Sequence, residues 1–328
     1  MSFSRRAALA ASLSPALAAA LVRRTARAQP AFPSGPIRFV VAFPPGGPTD
    51  ILGRMVAQKL AELRGWTVVV ENRSGASGLI GMGEVARAAP DGHTVLVNAQ
   101  AHTTLPATHA TRIGYDVARA FIPLTSLGRT PLFVTVTPSL PVRSIAELLA
   151  YARAHPGRIN YAAGSPGGGP HLAAEQFRLL TGASIQFVPY RGSGPALQDL
   201  AAGNVQLGFD SMTSASGLVR GGQIRPIAVT TPSRLPAFPE VPTVAETVPG
   251  YTAETWVGAF LPARTPEPIV ARRPAALAET LAAPDLRARI TASGSAPGGE
   301  PREAFAAFVA EEMATWARVV REANIRIE

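Results

Sequence analysis

The chain of 328 residues contains no cysteine and a single lysine, Lys59. The absence of cysteine excludes disulfides, thiolate metal sites, cysteine nucleophiles and a lipid-modified N-terminal cysteine. No basic run interleaved with aromatic residues is present, so the sequence does not indicate nucleic-acid binding. The histidines show none of the i, i+4 spacing with which two side chains on one helix face hold a metal; they are His93, His102, His109, His155 and His171.

The first 28 residues have the features of an export signal. Arg5 and Arg6 precede an uncharged run of Ala and Leu over residues 7–22, which is shorter than the roughly 20 apolar residues of a membrane span. Ala26-Arg27-Ala28 is a small-x-small cleavage site, so we expect cleavage after Ala28 and a periplasmic product. The arginine pair resembles a twin-arginine signal, with the general export route as the alternative. Loss of this segment removes five of 31 basic residues and lowers the formal charge from +9 to +4.

An apolar strand, a glycine-rich loop and a helix follow one another in residues 37–52. The apolar run 39–43 predicts a buried strand, and a helix can begin near Thr49 or Asp50. Glycines at positions 46 and 47 let the backbone turn its N–H groups outward, and a helix N-terminus adds partial positive charge. This pattern is typical of an anion-binding loop, although an ordinary strand-to-helix turn has the same composition.

The same pattern recurs along the chain, which predicts an α/β fold. Residues 66–70 form a predicted strand before a second glycine-rich loop at 71–78. Residues 159–163 precede the loop 164–170 and a helix over 171–180, and residues 185–190 precede the loop 191–194, with Pro195 opening a helix. A strand over 205–209 would place Asp210 at its carboxyl end, where open α/β sheets bind their ligands.

Six segments of the sequence form a recognisable set. They are Phe-Pro-Pro-Gly-Gly-Pro-Thr-Asp at 43–50, Glu-Asn-Arg-Ser-Gly-Ala-Ser-Gly at 71–78, Tyr-Ala-Ala-Gly-Ser-Pro-Gly-Gly-Gly-Pro-His-Leu-Ala-Ala-Glu at 161–175, Pro-Tyr-Arg-Gly-Ser-Gly-Pro-Ala at 189–196, Phe-Asp at 209–210, and Val-Pro-Thr-Val-Ala-Glu at 241–246. Together they resemble the Bug family of periplasmic solute receptors, the binding components of tripartite tricarboxylate transporters. These segments are collinear, and the resemblance covers residues 35–328.

The resemblance implies a two-lobed α/β fold of the periplasmic binding protein type II kind, with a ligand cleft between the lobes. One lobe would comprise residues 29–130 and 254–328, and the other residues 131–253. It further implies a monomer without a cofactor that binds a small carboxylate and delivers it to integral-membrane transporter subunits. A dicarboxylate, a tricarboxylate, an amino acid or an aromatic acid would all fit this description.

Carried over position by position, the resemblance implies a ligand site dominated by backbone amides. The residues expected to form it are Phe43, Pro45, Gly46, Gly47 and Asp50 in the first loop, Ser74, Gly75, Ala76, Ser77 and Gly78 in the second, and Ser165, Gly167, Gly168, His171, Tyr190, Arg191 and Asp210 from the other lobe. Each charged or aromatic member also has a structural interpretation, as a helix-dipole partner, a turn former, a solvated loop residue or part of a core.

Two other functions remain open from the sequence. Residues 163–167 approach the Gly-x-Ser-x-Gly motif of a serine hydrolase with Ser165 as nucleophile, but the first glycine is missing and Pro166 lacks the N–H that an oxyanion hole needs. A receptor that reports to a membrane signalling partner would use the same fold and site as a transport receptor. One departure from the family pattern, Arg272-Arg273-Pro274, predicts that a helix starts only after Pro274.

Overall fold

The computed structural model describes residues 32–164 and 166–322. The predicted export signal, its cleavage site and Ser165 therefore lie outside the described residues. From Gly35 onward the chain forms one unit.

The first part of this unit alternates strands and helices. Its elements are β1 (Ile37–Val41), α1 (Pro48–Arg64), β2 (Val68–Asn72), a 3-10 turn (Ala76–Gly78), α2 (Leu79–Ala86), β3 (Thr94–Ala99), α3 (Ala101–Thr108), a 3-10 turn (Ala110–Arg112), α4 (Val117–Ala120) and the long strand β4 (Phe121–Val136).

The second part repeats the alternation and ends in helices. Its elements are α5 (Ile145–Ala154), β5 (Ile159–Ala163), α6 (Gly169–Thr181), β6 (Ile185–Pro189), α7 (Ser193–Ala202), β7 (Leu207–Ser211), α8 (Met212–Arg220), β8 (Arg225–Val229), a 3-10 turn (Val244–Glu246), β9 (Glu254–Pro262), α9 (Glu267–Val270), α10 (Arg272–Ala282), α11 (Pro284–Ala292), β10 (Ala296–Pro297) and α12 (Arg302–Glu322).

The described strands join in one sheet with the order β2-β1-β3-β9-β4-β7-β5-β6. Strand β1 pairs in parallel with β2 and β3, and β5 pairs in parallel with β6 and β7. The two ends of the sheet therefore have the same arrangement, built from separate parts of the chain. We call them the first half-sheet (β1, β2, β3, β9) and the second half-sheet (β5, β6, β7, β8).

Strand β4 belongs to both half-sheets. Residues 121–131 pair with β9, the last of them through the register Pro131↔Glu254. Residues 132–136 pair with β7 and β8 instead, beginning at Leu132↔Ser211. The ladder changes partner between two consecutive residues, so β4 carries the chain directly from one half-sheet to the other.

Each half-sheet has its own hydrophobic core. In the first, Leu52, Val56 and Leu60 of α1 pack against the strands. In the second, Phe177 of α6 and Tyr161 of β5 are fully buried. Burying a side chain of this size contributes about 1.5 to 3 kcal/mol, so packing of the amphipathic helices on both half-sheets stabilises the frame that carries the loops.

Several predicted boundaries are displaced in the structure. The strand expected at 205–209 lies at Leu207–Ser211, so Asp210 is within the strand. Helix α7 begins at Ser193 and α10 at Arg272, before the prolines that were expected to open or precede them. Both Pro195 and Pro274 stand third in their helices. A proline is tolerated there because the N–H groups of the first turn have no partner within the helix.

Candidate ligand-binding site

Two adjoining cavities lie where the loops after β1, β2, β5 and β6 meet. The small cavity has a volume of about 60 Å³ and the large one about 340 Å³. Four residues line both cavities: Phe43, Pro44, Gly164 and Gly192. Because these loops follow parallel strands, the cavities lie at the carboxyl ends of both half-sheets, the usual ligand position in open α/β sheets.

Three helices direct their N-termini at the small cavity. Its lining includes Gly47 before α1, Gly168 before α6 and Gly192 before α7. All three capping residues are glycines, so no capping side chain covers these helix N-termini. The first N–H groups of a helix have no partner within the helix and carry partial positive charge. The small cavity can therefore receive an anion without any cationic side chain.

The loops before α1 and α6 have the same backbone conformation. Gly46 and Gly167 both have positive φ, at 81° and 74°. The next residues, Gly47 and Gly168, have φ and ψ of −82° and 168° and of −80° and 169°. Each half-sheet thus presents the same turn to the cavities, although the two copies are 121 positions apart in the chain.

A side chain four residues after each positive-φ glycine holds the turn in place. The Gly46 N–H donates to Asp50 Oδ2 at 3.0 Å, and the Gly167 N–H donates to His171 Nδ1 at 2.9 Å. Asp50 and His171 are buried and do not line either cavity. Their observed role is to fix the two loops from behind.

Asp50 also accepts hydrogen bonds from neighbouring side chains. Its Oδ1 accepts from Arg54 Nε at 2.8 Å and from Asn72 Nδ2 at 2.9 Å, and Asn72 Nδ2 also donates to the Phe43 carbonyl at 3.0 Å. Burial alone would raise the pKa of Asp50, but the hydrogen bonds from Arg54, Gly46 and Asn72 hold it below its usual value. Asn72, absent from the predicted site, thereby ties the loop after β1 to the loop after β2.

His171 is held as a neutral ring. Its Nδ1 accepts a hydrogen bond and so carries no proton, and the ring stacks on Phe187 with centroids 4.0 Å apart. Burial lowers the pKa of His171. The loop before α6 therefore depends on a histidine that must stay unprotonated.

The loop after β2 lines the large cavity with an unusual backbone. Gly75, Ala76, Ser77 and Gly78 all have positive φ, at 134°, 46°, 56° and 104°. Non-glycine residues rarely adopt such angles, and each instance costs on the order of 1 to 3 kcal/mol. Two of them in succession, next to a cavity, indicate a backbone shaped for contact with a ligand.

Arg191 is the only charged residue among the described residues that line the two cavities. Its side chain is exposed, and it makes no ion pair with any other described residue. Neighbouring Tyr190 lines the large cavity too, but its hydroxyl donates to Asp199 Oδ2 at 2.6 Å. Among the described residues, Arg191 is therefore the one cation of the large cavity without an ion-pair partner, which favours an anionic ligand.

Elements of the two half-sheets approach each other closely beside the small cavity. Thr104 Oγ1 of α3 donates to the Gly167 carbonyl at 2.7 Å. A Cβ at Gly192 would lie 3.0 Å from Pro44 Cγ, and one at Gly169 would lie 2.4 Å from Gln100 Oε1. Glycine at these positions leaves room for the side chains of Pro44 and Gln100 against the backbone of the second half-sheet.

Asp210 lies behind the small cavity and is 2% exposed. Its Oδ1 accepts from Ser193 Oγ at 2.8 Å and from the Ser211 N–H at 2.7 Å. Burial raises the pKa of Asp210 to about 7, against the lowering effect of these two hydrogen bonds. Ser193 lines the small cavity while Asp210 does not, so the hydrogen bond from Ser193 connects the carboxyl group to the cavity wall.

The predicted site residues separate into three groups. Those that line a cavity are Phe43, Gly47, Ser74, Gly75, Ala76, Ser77, Gly78, Gly168, Tyr190 and Arg191. Those that lie outside both linings are Pro45, Gly46, Asp50, Gly167, His171 and Asp210. Ser165 is outside the described residues.

Other lining residues were absent from the prediction. They are Ala42, Pro44, Pro48, Thr49, Ala99, Ala101, Gly164, Pro166, Gly169, Pro170, Gly192, Ser193 and Thr255. Ala99 ends β3, and the rule that ligands lie at carboxyl strand ends applies to it as it does to Asp210. Thr255 is the second residue of β9, and no local pattern indicated that this strand would pair with β3.

Comparison with known proteins identifies the family. Residues 52–325 match the model of the tripartite tricarboxylate transporter family receptors, TctC. The chain belongs to this family. It is 34% identical to the protein BugT of Bordetella pertussis, over 90% of this chain and 92% of BugT. It is also 36% identical to the UPF0065 protein of the tcbD-tcbE intergenic region of Pseudomonas sp. strain P51, over 93% of this chain and 92% of that protein.

Solved structures of TctC relatives share the whole fold. The Rhodopseudomonas palustris protein Rpa4515, solved with adipate, is 37% identical with a TM-score of 0.87 and covers 90% of this chain and 99% of its own. MatC of the same organism, solved with bound malate, is 32% identical with a TM-score of 0.82 and covers 88% and 100%. These comparisons confirm the two-lobed α/β fold of periplasmic binding proteins.

Membership in the TctC family makes this protein a solute receptor and not an enzyme. The hydrolase hypothesis built on Ser165 is therefore set aside. Within residues 32–164 and 166–322, no group of three or more His, Asp or Glu side chains is arranged to hold a metal ion. None of the helices in this part of the chain has the length and apolar character of a membrane span.

Proposed function

We propose that this TctC receptor binds a small dicarboxylate in the two adjoining cavities and delivers it to a tripartite tricarboxylate-type membrane transporter. The observation that supports the proposal is that each cavity offers a different group to a carboxylate. One carboxylate would lie at the three uncapped helix N-termini of the small cavity. The second would pair with Arg191, the single charged residue of the described lining.

Magnitudes favour a site that uses all of these contacts together. A hydrogen bond to a charged group contributes about 1.5 to 3 kcal/mol, and a helix terminus about 0.3 to 1 kcal/mol, or about 2 when partly buried. Micromolar affinity requires about 8 kcal/mol after the cost of ordering both partners. A single loop supplies too little, whereas loops from both half-sheets together supply enough.

The ligand would lie between two lobes that close on it. We propose that residues 29–130 with 254–328 form one lobe and residues 131–253 the other, joined at β4 and β9. The change of pairing partner between Pro131 and Leu132 supports this division. Relatives solved with adipate and malate support the ligand class, since both are dicarboxylates. The receptor would act as a monomer without a cofactor.

A thermal-shift panel tests the ligand class. Residues 29–328 are unfolded, refolded to remove co-purified ligand, and heated with succinate, malate, adipate, citrate, their monocarboxylate analogues and the corresponding amides. A ligand at 100 times its dissociation constant adds about 2.7 kcal/mol, which raises the midpoint of unfolding by several degrees. Stabilisation by a dicarboxylate and not by its amide is the expected result.

The opposite result would contradict the proposal. If no carboxylate shifts the midpoint while a neutral solute does, the uncapped helix ends and Arg191 do not serve an acid. Delivery is a separate step, tested by cross-linking the loaded receptor to membranes that contain the two integral-membrane transporter subunits. Cross-links that form only with the dicarboxylate bound are expected.

A further inference from the structure

Asp210 and Ser193 form a buried hydrogen-bonded pair next to the small cavity. Ser193 lines the small cavity, and its hydroxyl has one proton, which it donates to Asp210 Oδ1 at 2.8 Å. A carboxylate in the small cavity has no proton of its own near neutral pH and can only accept hydrogen bonds. The serine hydroxyl therefore cannot serve both carboxylates as a donor at the same time.

Protonation of Asp210 resolves this competition. A protonated Asp210 donates to Ser193 Oγ, and the serine proton is then free to point at the ligand carboxylate. An ionised Asp210 continues to accept the hydrogen bond from Ser193. Its negative charge then lies behind Ser193, close to the charge of the ligand carboxylate. Two carboxylates that share one site favour a state in which one of them is protonated.

We infer that Asp210 takes up a proton from solvent when a carboxylate binds at Ser193, so that the receptor binds its dicarboxylate and one proton together. Asp210 is thus a positioning residue that acts on the ligand through Ser193. This inference rests on the proposed carboxylate function and adds a dependence on pH to it.

The pKa of Asp210 depends on its burial and on its hydrogen bonds. Burial raises its pKa to about 7, while the hydrogen bonds from Ser193 and Ser211 oppose the shift. The ionisable groups on neighbouring elements either have hydrogen-bond partners of their own or do not contribute to the pKa shift of Asp210. They are Tyr161 on β5, His171 and Glu175 on α6, Tyr190 and Arg191 in the loop before α7, Asp199 on α7, Arg220 on α8 and Arg225 on β8. On the paired segment of β4, residues 132–136 have no ionisable side chain.

Calorimetry measures the number of protons that the receptor takes up on binding. Binding of whichever of succinate, malate and adipate stabilises the receptor most is titrated from pH 6 to 8.5, in pairs of buffers with different heats of ionisation. The second carboxyl group of such a ligand titrates above the usual carboxyl value of about 4, because the first is already negatively charged. Proton uptake by the receptor is therefore read at pH 7 and above, where both ligand carboxylates are ionised. We expect uptake of about half a proton near pH 7, rising toward one at higher pH. The dissociation constant should rise by up to tenfold per pH unit above about 7.

Variants assign the proton to this pair. In Asp210→Asn the amide can donate to Ser193 as a protonated carboxyl group would, so proton uptake should vanish and the dissociation constant should stay flat with pH. Ser193→Ala should weaken binding and reduce the pH dependence. Asp285→Asn, which changes an exposed carboxylate on α11, serves as the control and should leave proton uptake unchanged.

The outcomes separate the two proposals. Tight dicarboxylate binding by the unaltered receptor without proton uptake overturns the coupling and leaves the carboxylate function intact. The same holds if Asp210→Asn folds, binds and still takes up the proton. If none of the three dicarboxylates binds at any pH, both the carboxylate function and the coupling are wrong.

Discussion

The hydroxyl of Thr104 donates to the carbonyl oxygen of Gly167 at 2.7 Å and links α3 to the loop before α6. This bond joins the first half-sheet to the second beside the small cavity. Thr104 is fully buried, so the carbonyl has no water to replace a lost donor.

Thr104→Val should weaken ligand binding more than it weakens the fold. Valine keeps the shape of threonine but cannot donate, so the bond across the cleft is lost at a cost of about 0.5 to 1.5 kcal/mol. We expect the dissociation constant for the bound dicarboxylate to rise about 3- to 10-fold in calorimetry. The control is Thr108→Val, whose hydroxyl bonds within its own helix to the Thr104 carbonyl. Equal losses of affinity in both variants would show that the bond to Gly167 has no special role.

Gly192→Ala should impair both stability and binding. Gly192 has φ of 121° and ψ of 166°, a conformation nearly restricted to glycine, and a Cβ there would lie 3.0 Å from Pro44 Cγ. We expect the free energy of unfolding to fall by about 1 to 3 kcal/mol and the affinity to fall as Pro44 is displaced. Gly194→Ala is the matched control, because a Cβ there meets nothing within 4 Å and alanine favours the helix. Urea unfolding and calorimetry would contradict this prediction if the two variants behaved alike.

Arg191→Gln should reduce affinity without reducing stability. Arg191 is exposed and makes no ion pair with another described residue, so its removal leaves the fold unchanged. Loss of a charged contact of about 1.5 to 3 kcal/mol corresponds to a dissociation constant about 10- to 100-fold higher. The effect should be large for dicarboxylates and small for their monocarboxylate analogues. Arg158→Gln, an exposed arginine of the second half-sheet that lines neither cavity, should change nothing.

His171→Ala should destabilise the receptor more than His171→Asn. Alanine leaves the buried Gly167 N–H without its acceptor, at a cost of about 1 to 3 kcal/mol, whereas the asparagine oxygen can take the place of Nδ1. The pKa of His171 is lowered in the fold, so its contribution is complete above the unfolded value of about 6.5 and is lost as the pH falls below it. The stability gap between the unaltered protein and His171→Asn should therefore shrink from pH 7.5 to pH 5 in urea unfolding. An unchanged gap would mean that Nδ1 does not need to stay unprotonated.

Asp210→Asn should stabilise the ligand-free receptor at alkaline pH. The pKa of Asp210 is raised to about 7 from the reference value of 3.8. Asp210 therefore lowers the free energy of unfolding by an amount that grows as the pH rises from about 4 to about 7. Above that window the cost is constant. The gain in melting temperature from the substitution should be larger at pH 8.5 than at pH 5. A gain that is the same at both values would show that the pKa of Asp210 is not raised in the folded protein.

Local sequence patterns predicted the loops well because glycine and proline constrain the backbone wherever they stand. The turns at Gly46 and Gly167 follow apolar strands and precede helices, as their composition indicates. Arg191 was predicted and lines the large cavity, since it follows β6 directly. These features depend on a few neighbouring residues only.

Side-chain direction could not be predicted in the same way. Asp50, His171 and Asp210 carry the chemistry of ligand contacts, but each turns toward buried donors supplied by other residues. The donors at Asn72 and Ser193 become neighbours only when the sheet forms. Likewise Thr255 reaches the small cavity because β9 pairs with β3, more than 150 positions earlier in the chain.

The placement of β9 between β3 and β4 governs the order in which the chain can be completed during synthesis. Until Glu254–Pro262 has been made, the edge of Thr94–Ala99 has no partner on that side, although four of the six residues of this strand are apolar and five are buried in the finished protein. An unpaired apolar edge recruits other chains, and β4 lacks the same neighbour. Roughly the first three quarters of the polypeptide must therefore be made before the first half-sheet can be completed, whereas all strands of the second half-sheet are already present at Val229 and do not need β9.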